Sequence, residues 1–277
     1  MIAITTQARV FAALTGARRI DAAAYLPAPD FTAALSNAAR RGAAVTIHVP
    51  GTMPWGSDRA RALDARLRTL RAAGVHVVKE RRRIAHLKAV VVDGCEAYLA
   101  DRNFARDETV VRTDQVRAVE SAIAGRSAGT GGLVLGNKAG AQALEVQLVR
   151  EAPAGSAVLV VSEYANESVL VRELLARAGE LHERVIVNPR GLQKPPERAA
   201  LQALEAHGVD VEVARIAEKG VVVGDRAVVT SANATVGQPT MSEWAARFNG
   251  AQARTVCAHF VAAVTTGAAR KLDRVLE

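Results

Sequence analysis

His86-Leu87-Lys88 sets an imidazole and an ammonium two residues apart, just ahead of the β-branched run Val90-Val91-Val92. Side chains two apart on an extended chain share a face. Asp93-Gly94 is a strong turn signal and Ala97-Tyr98-Leu99 returns, so the segment predicts a β-hairpin. A two-residue turn would pair His86 with Asp101 across that hairpin, with Asn103 two residues further along the same face. An imidazole, an ammonium and an amide around one point suit an anionic phosphoryl group. The histidine attacks phosphorus while the lysine and the asparagine hold the oxygens.

The arrangement occurs twice. Ala217-Glu218-Lys219-Gly220-Val221-Val222-Val223-Gly224-Asp225-Arg226 is followed by Val229-Thr230-Ser231-Ala232-Asn233. Lys219 stands 131 residues after Lys88, and Asn233 stands 130 after Asn103. Upstream, Leu201 to Val211 mirrors Leu67 to Val77, each an amphipathic helix ended by glycine and followed by a valine-rich strand. A repeat of this size is a duplicated domain rather than a solenoid. The copies differ where chemistry is expected. Ala217 occupies the histidine position, and Gly224-Asp225 replaces Asp93-Gly94. Fourteen residues rather than 15 separate lysine from asparagine. A one-residue slip would turn Asn233 away from Lys219, so either a bulge or a different turn restores the geometry or the second copy no longer grips a phosphate.

The spacing of His86, Lys88, Asp93 and Asn103 resembles the H-x-K-x4-D signature of the phospholipase D superfamily, with its G-S-x-N motif further on. Ala100 and Asp101 stand where the family has Gly and Ser, while the second copy keeps Ser231 and Asn233. The resemblance implies an α/β fold of two duplicated sandwich units, mixed sheets flanked by helices, related by a pseudo-twofold. Residues 1–128 and 133–277 would form the halves. It implies His86 as the nucleophile that forms a phosphohistidine, with Lys88 beside it. Glu108 falls where family members carry the acid that bonds the catalytic histidine. Asn103, Lys219, Ser231, Asn233 and Asp101 would line the phosphate site, so that an anion binds among Lys88, Asn103, Lys219 and Asn233. Asp93 and Asp225 would be structural turn residues. No metal or cofactor is expected.

The family mechanism uses two histidines, one as nucleophile and one as acid and base, and Ala217 removes one of them. Glu218 should face away. His207 reads as a solvent-exposed cap and His259 as packed or partly buried, while His48 and His76 read as structural. Three readings follow. The first is a metal-independent phosphodiesterase or phosphatidyl/phosphoryl transferase acting on phospholipid, nucleic acid or a small diester. The second is a degenerate relative that binds a phosphate-bearing ligand or nucleic acid without turnover. The third is a structural protein acting through a protein partner.

The 277 residues carry a net charge of +8, with pI near 10.1. That balance suits an anionic partner, although the excess of Arg and Ala also fits a coding bias. Arg81-Arg82-Arg83 is the densest basic cluster. Apolar residues make up 49% but aromatics only 4%, so Ala, Val and Leu must fill the cores. Cys95 and Cys257 are far apart and read as free thiols in a reducing compartment. No secretion signal or membrane-spanning run is read, so the expected location is cytoplasmic. The oligomeric state stays open, a monomer with an internal pseudo-dimer being consistent.

Alternation predicts helices at residues 7–15, 31–41, 58–73 and 114–124, with strands at 21–26, 44–49 and 75–79. The second half repeats this, with helices at 139–150, 168–178, 196–207 and 251–263. Its strands are expected at 157–161, 184–187 and 209–214. The small-residue stretch 124–132 reads as the linker.

Overall fold

The structure, a computed structural model, describes residues 1–53, 57–80, 86–105, 108–130, 132–236, 241–272 and 275. The Arg81-Arg82-Arg83 cluster lies outside the described residues. The chain forms two compact units. The first contains Met1–Lys138 and takes back Met241–Trp244; the second contains the rest.

In the first unit, chain order gives β1 (Ile2–Thr5), α1 (Gln7–Gly16), β2 (Arg19–Ala23), α2 (Pro29–Arg40), β3 (Ala44–Pro50) and α3 (Ser57–Ala72). Then come β4 (His76–Glu80), β5 (Ala89–Val92), β6 (Glu96–Ala100), β7 (Val110–Thr113) and α4 (Val116–Ile123). The sheet runs β1-β7-β6-β5-β2-β3-β4. β2, β3 and β4 are parallel, and β5, β6 and β7 continue antiparallel. Both faces are covered, which is why β5 reads as unbroken valine, buried throughout. Ile20, Ile47, Val90 and Tyr98 meet Phe31, Leu35 and Leu67 in the core. Stretch 124–132 is not a plain linker. It includes β8 (Ala128–Thr130), which pairs with β9 (Leu133–Leu135). Three-residue strands rich in small residues carry almost no periodic signal.

The second unit repeats the topology. α5 (Lys138–Arg150), β10 (Ala157–Ser162), α6 (Val169–Arg177), β11 (His182–Val187), α7 (Pro195–Ala206) and β12 (Asp210–Val213) follow the order of α1 through β4. A hairpin of β13 (Gly220–Val223) and β14 (Arg226–Thr230) precedes β15 (Trp244–Asn249), α8 (Ala251–Thr266) and the short β16 (Arg270–Lys271). Its strands run β16-β12-β11-β10-β13-β14-β15. Among the described residues, no helix is long and apolar enough to cross a membrane.

The two hairpins explain the 15-against-14 spacing. In the first, Val92 pairs with Glu96 across the three residues Asp93, Gly94 and Cys95. In the second, Val223 pairs with Arg226 across Gly224 and Asp225 alone. The extra residue is absorbed at the tip. The Ala100 N–H bonds the Lys88 carbonyl at 3.0 Å and the Thr230 N–H bonds the Lys219 carbonyl at 3.0 Å. Each asparagine therefore follows three residues after the partner of its lysine, so the two copies keep the same offset and Asn103 does not share a strand face with Lys88 by simple alternation. The same register corrects the expected pairing of His86 with Asp101. Continued past Lys88, it sets Asp101 level with Leu87, because the turn has three residues rather than two.

Inside the second sheet, burial pushes the Glu183 carboxyl on β11 up to about 7 against the opposing pull of Arg177. An acid whose folded-state pKa is raised stabilises the fold below its ordinary value, near 4.5, and loses that contribution as pH rises through 7. Glu183→Gln should thus melt several degrees above the parent at pH 8 and close to it at pH 4.5. Melting curves at the two pH values check this, and an offset equal at both would refute it.

Candidate functional site

His86 lies just before β5, and β5 is held by β2 on one side and β6 on the other. The loop after β2 supplies its next neighbour. The Tyr25 ring lies 5.0 Å from the imidazole, tilted by 55°. That loop is fixed by Asn103, whose Oδ1 accepts from the Leu26 N–H at 2.9 Å while its carbonyl accepts from the Ala28 N–H at 3.0 Å. The Arg66 guanidinium on α3 also donates to the carbonyls of Leu26 and Pro27. With the Asn103 oxygen engaged, its NH2 is the end available to a ligand oxygen.

The acid against His86 is Glu243. Its Oε1 lies 2.7 Å from His86 Nδ1, and its Oε2 lies 3.9 Å from Lys88 Nζ. Lys88 and Glu243 are each only 2% exposed, against 14% for the imidazole. Two charges this deep need each other, since each alone would lose its hydration without compensation. Glu243 is held by its neighbours. The Trp244 indole N–H donates to the Ala100 carbonyl at 2.8 Å, and the Asn137 N–H donates to the Glu243 carbonyl at 3.2 Å.

Nδ1 also lies 2.6 Å from Lys88 Nζ. One nitrogen cannot donate to a carboxylate and accept from an ammonium at once. When Nδ1 carries its hydrogen toward Glu243, the ring's lone pair lies on Nε2, itself 3.3 Å from Lys88 Nζ, and a bound anion would compete for that ammonium. This is the tautomer a nucleophile needs.

Glu108 is placed elsewhere. It is 6% exposed and lies beside Asp101 and Arg102. Burial first, then the negative charge of Asp101, push its carboxyl up to about 9, against Arg102 and the nearby backbone amides of Ala105 and Arg102. Asp101 is buried at the end of β6, its N–H donating to the Thr109 carbonyl at 3.2 Å. Asp93 sits at the hairpin tip with φ +52°, and its Oδ1 accepts from the N–H groups of Arg18 and Arg19 at 2.8 and 2.7 Å.

In the second unit, Lys219 is 3% exposed. Its Nζ donates to the Ala217 carbonyl at 2.9 Å and lies 3.8 Å from Glu163 Oε2. The lysine thus reaches back to the residue that stands in place of a histidine. Gly220 beside it has φ +157°, and a Cβ there would meet the Val228 carbonyl at 2.1 Å, so only glycine fits. Ser231 is fully buried. Among the described residues the buried Asn233 side-chain oxygen has no hydrogen-bond partner, while its carbonyl accepts from Gln142 Nε2 at 3.1 Å. Asp225 sits in the two-residue turn, its carbonyl accepting from the Gly250 N–H at 2.7 Å. Glu218 bonds the Ala217 N–H at 2.9 Å. Among the other histidines, exposed His207 bonds the Ala203 carbonyl at 2.7 Å and His48 pairs with Glu80 at 2.8 Å.

Glu243, Tyr25, Trp244 and Glu163 are not singled out by the sequence. A signal for Glu243 does exist. Ala100 pairs with Val110 and Thr230 with Ala245, so Glu108 and Glu243 each stand two residues before an equivalent ladder position. The connection in the second copy is five residues longer, which hides Glu243 from any search at a constant repeat length.

No family model matches the chain, and no curated protein matches it by sequence. Solved structures do match. The phosphatidylserine synthase of Haemophilus influenzae Rd KW20 superposes with a TM-score of 0.63 at 11% identity, over 98% of this chain and 87% of that one. The polyphosphate kinase of Porphyromonas gingivalis gives 0.60 at 14% identity, over 93% of this chain. This chain spans about half of that kinase, 49% of its length. A yeast tyrosyl-DNA phosphodiesterase variant gives 0.51 at 11% identity, over 90% of each chain. The shared architecture is two mixed α/β sheets flanked by helices, and the chain thus has the phospholipase D-like fold that its motif spacing implied.

Proposed function

We propose that the chain is a phosphodiesterase or phosphoryl/phosphatidyl transferase that works through a covalent phosphohistidine on His86. The observation that carries this reading is the Glu243–His86 contact, 2.7 Å at Nδ1. A carboxylate at Nδ1 fixes the tautomer, raises the basicity of Nε2 and stabilises the imidazolium that forms when Nε2 bonds phosphorus. Lys88, buried beside the ring, supplies the charge that holds a phosphoryl oxygen, and the free NH2 of Asn103 supplies a neutral donor. A phosphodiester anion drawing Lys88 away from Nδ1 would favour the reactive tautomer on binding. The solved proteins of this fold named above include a phosphatidylserine synthase and a tyrosyl-DNA phosphodiesterase, which supports phosphoryl-transfer chemistry as a class.

The alternative is a binder without turnover, favoured by Ala217 and by the Lys219 ammonium lying against the Ala217 carbonyl. Intact-mass measurement after rapid quenching in denaturant at alkaline pH, where an N–P bond survives, separates the two. Incubated with 4-nitrophenyl methyl phosphate, the parent protein should gain the mass of a methyl phosphoryl group and release nitrophenolate. His86→Ala should do neither, its rate falling by about 10⁴-fold or more, the scale of losing a nucleophile. Binding of the ester without adduct or release in the parent would establish the binder.

A further inference from the structure

The polar contacts of His86 do not by themselves fix its ring. Lys88 Nζ lies 2.6 Å from Nδ1 and 3.3 Å from Nε2, so the ammonium can serve either nitrogen. A histidine ring turns about a broad torsion, and a half-turn would take Nδ1 off Glu243 and re-aim Nε2. An imidazole that must present one nitrogen at every turnover needs an apolar constraint as well. Tyr25 stands where that constraint is needed. Its ring centroid lies 5.0 Å from the imidazole at a tilt of 55°, within the separation at which aromatic rings pair. Tyr25 is 4% exposed, and the chain on either side of it is tied down. The Ala24 N–H donates to the His48 carbonyl at 3.1 Å, and the Leu26 N–H donates to Asn103 Oδ1 at 2.9 Å. Leu26 precedes Pro27, which confines it to extended backbone, and Arg66 holds the carbonyls of both. A ring anchored on both sides cannot retreat from its neighbour without breaking these bonds. All of these residues, with His86, Lys88 and Glu243, belong to the first unit.

We propose that Tyr25 is the positioning residue of the nucleophile, its ring a fixed wall that holds the imidazole plane with Nδ1 on Glu243 and Nε2 presented to phosphorus. This rests on His86 being the nucleophile. Tyr25 takes no part in bond making and acts only through His86. The ring, not the hydroxyl, carries the role. Burial pushes the phenol pKa up against the pull of Arg59, so the side chain stays neutral across the assay range and exchanges no proton with the imidazole.

Two variants test this. Tyr25→Phe keeps the ring and removes the hydroxyl; Tyr25→Leu keeps apolar bulk and removes the flat wall. With 4-nitrophenyl methyl phosphate at saturation, Tyr25→Leu should form the His86 adduct about 10²-fold more slowly than the parent, the scale of a misaimed reacting group. Its half-saturating ester concentration should stay within about threefold of the parent's, because the ring acts on the reacting nitrogen and not on substrate. Tyr25→Phe should keep the parent rate within about threefold. Nitrogen-15 spectra of histidine-labelled protein, recorded above the imidazole titration range, give a readout independent of turnover. The His86 signals, identified by their loss in His86→Ala, should report one tautomer in the parent and in Tyr25→Phe. In Tyr25→Leu they should report an average of two. Should Tyr25→Leu melt below the assay temperature, Tyr25→Met, which fills irregular gaps more readily, takes its place. A Tyr25→Leu protein with the parent's rate and the parent's nitrogen signals overturns the assignment. So does an equal loss in Tyr25→Phe, which would put the role on the hydroxyl. A loss confined to the half-saturating concentration would make Tyr25 a substrate contact and overturn it as well. If the parent forms no adduct, the reading of His86 as nucleophile fails on its own, and the nitrogen signals still decide whether Tyr25 holds the ring.

Discussion

Glu243→Gln should lower kcat for 4-nitrophenyl methyl phosphate by about 10³–10⁴-fold while leaving the protein folded. The magnitude follows the general behaviour of carboxylate–imidazole pairs, where amide replacement offers the ring a donor and fixes the wrong tautomer. Here the effect has a second source. Oε2 of Glu243 lies 3.9 Å from Lys88 Nζ, and a neutral amide leaves that buried ammonium less compensated. Lys88 would then sit more firmly on Nδ1, 2.6 Å away, holding the unproductive arrangement. Steady-state kinetics across pH 5 to 9 measure the loss. A variant within tenfold of the parent would show that the carboxylate does not set the state of His86.

Trp244→Ala should be the most destabilising single change near the site. The indole is fully buried, and its N–H satisfies the Ala100 carbonyl. Removing a buried indole costs about 3–5 kcal/mol through lost burial and the cavity left behind. The unpartnered carbonyl adds about 1–3 kcal/mol unless water reaches it. A fall in Tm of roughly 10 °C or more is expected. Trp244→Phe, which keeps most of the ring but not the donor, should lose less than half as much. Equal losses would mean that the hydrogen bond, not the packing, dominates. Activity should fall with both, because Glu243 is the neighbouring residue.

The motif hairpins were legible because two signals agreed. Valine runs marked strands buried on both faces, and Asp-Gly or Gly-Asp marked the tips. The eight long helices expected from apolar periodicity appear within a few residues of their predicted bounds. Turn length was not legible, since Asp93-Gly94 serves equally as a two-residue turn or as the start of a three-residue one. That single choice moved Asp101 out of register with His86. β1 has four residues and no flanking punctuation, so no strand is expected there. Position 243 illustrates a different barrier. Nothing local in Ser242-Glu243-Trp244 sets that glutamate apart from other surface-type sequences. Its place depends on the chain leaving the second unit for the short stretch that ends at Trp244, a long-range event that propensity and periodicity do not encode. Glu108, by contrast, was noticed for its place in a motif, and the structure surrounds it with Asp101 and Arg102.

The return of Met241–Trp244 to the first unit bears on how separable the halves of this duplicated chain are. A fragment cut at the apparent boundary, near residue 138, inherits His86, Lys88 and Asn103 yet leaves behind the carboxylate that aims the ring. The His86–Glu243 pair is thus carried by two stretches of chain 157 residues apart, and a truncation that keeps the hairpin does not keep its acid.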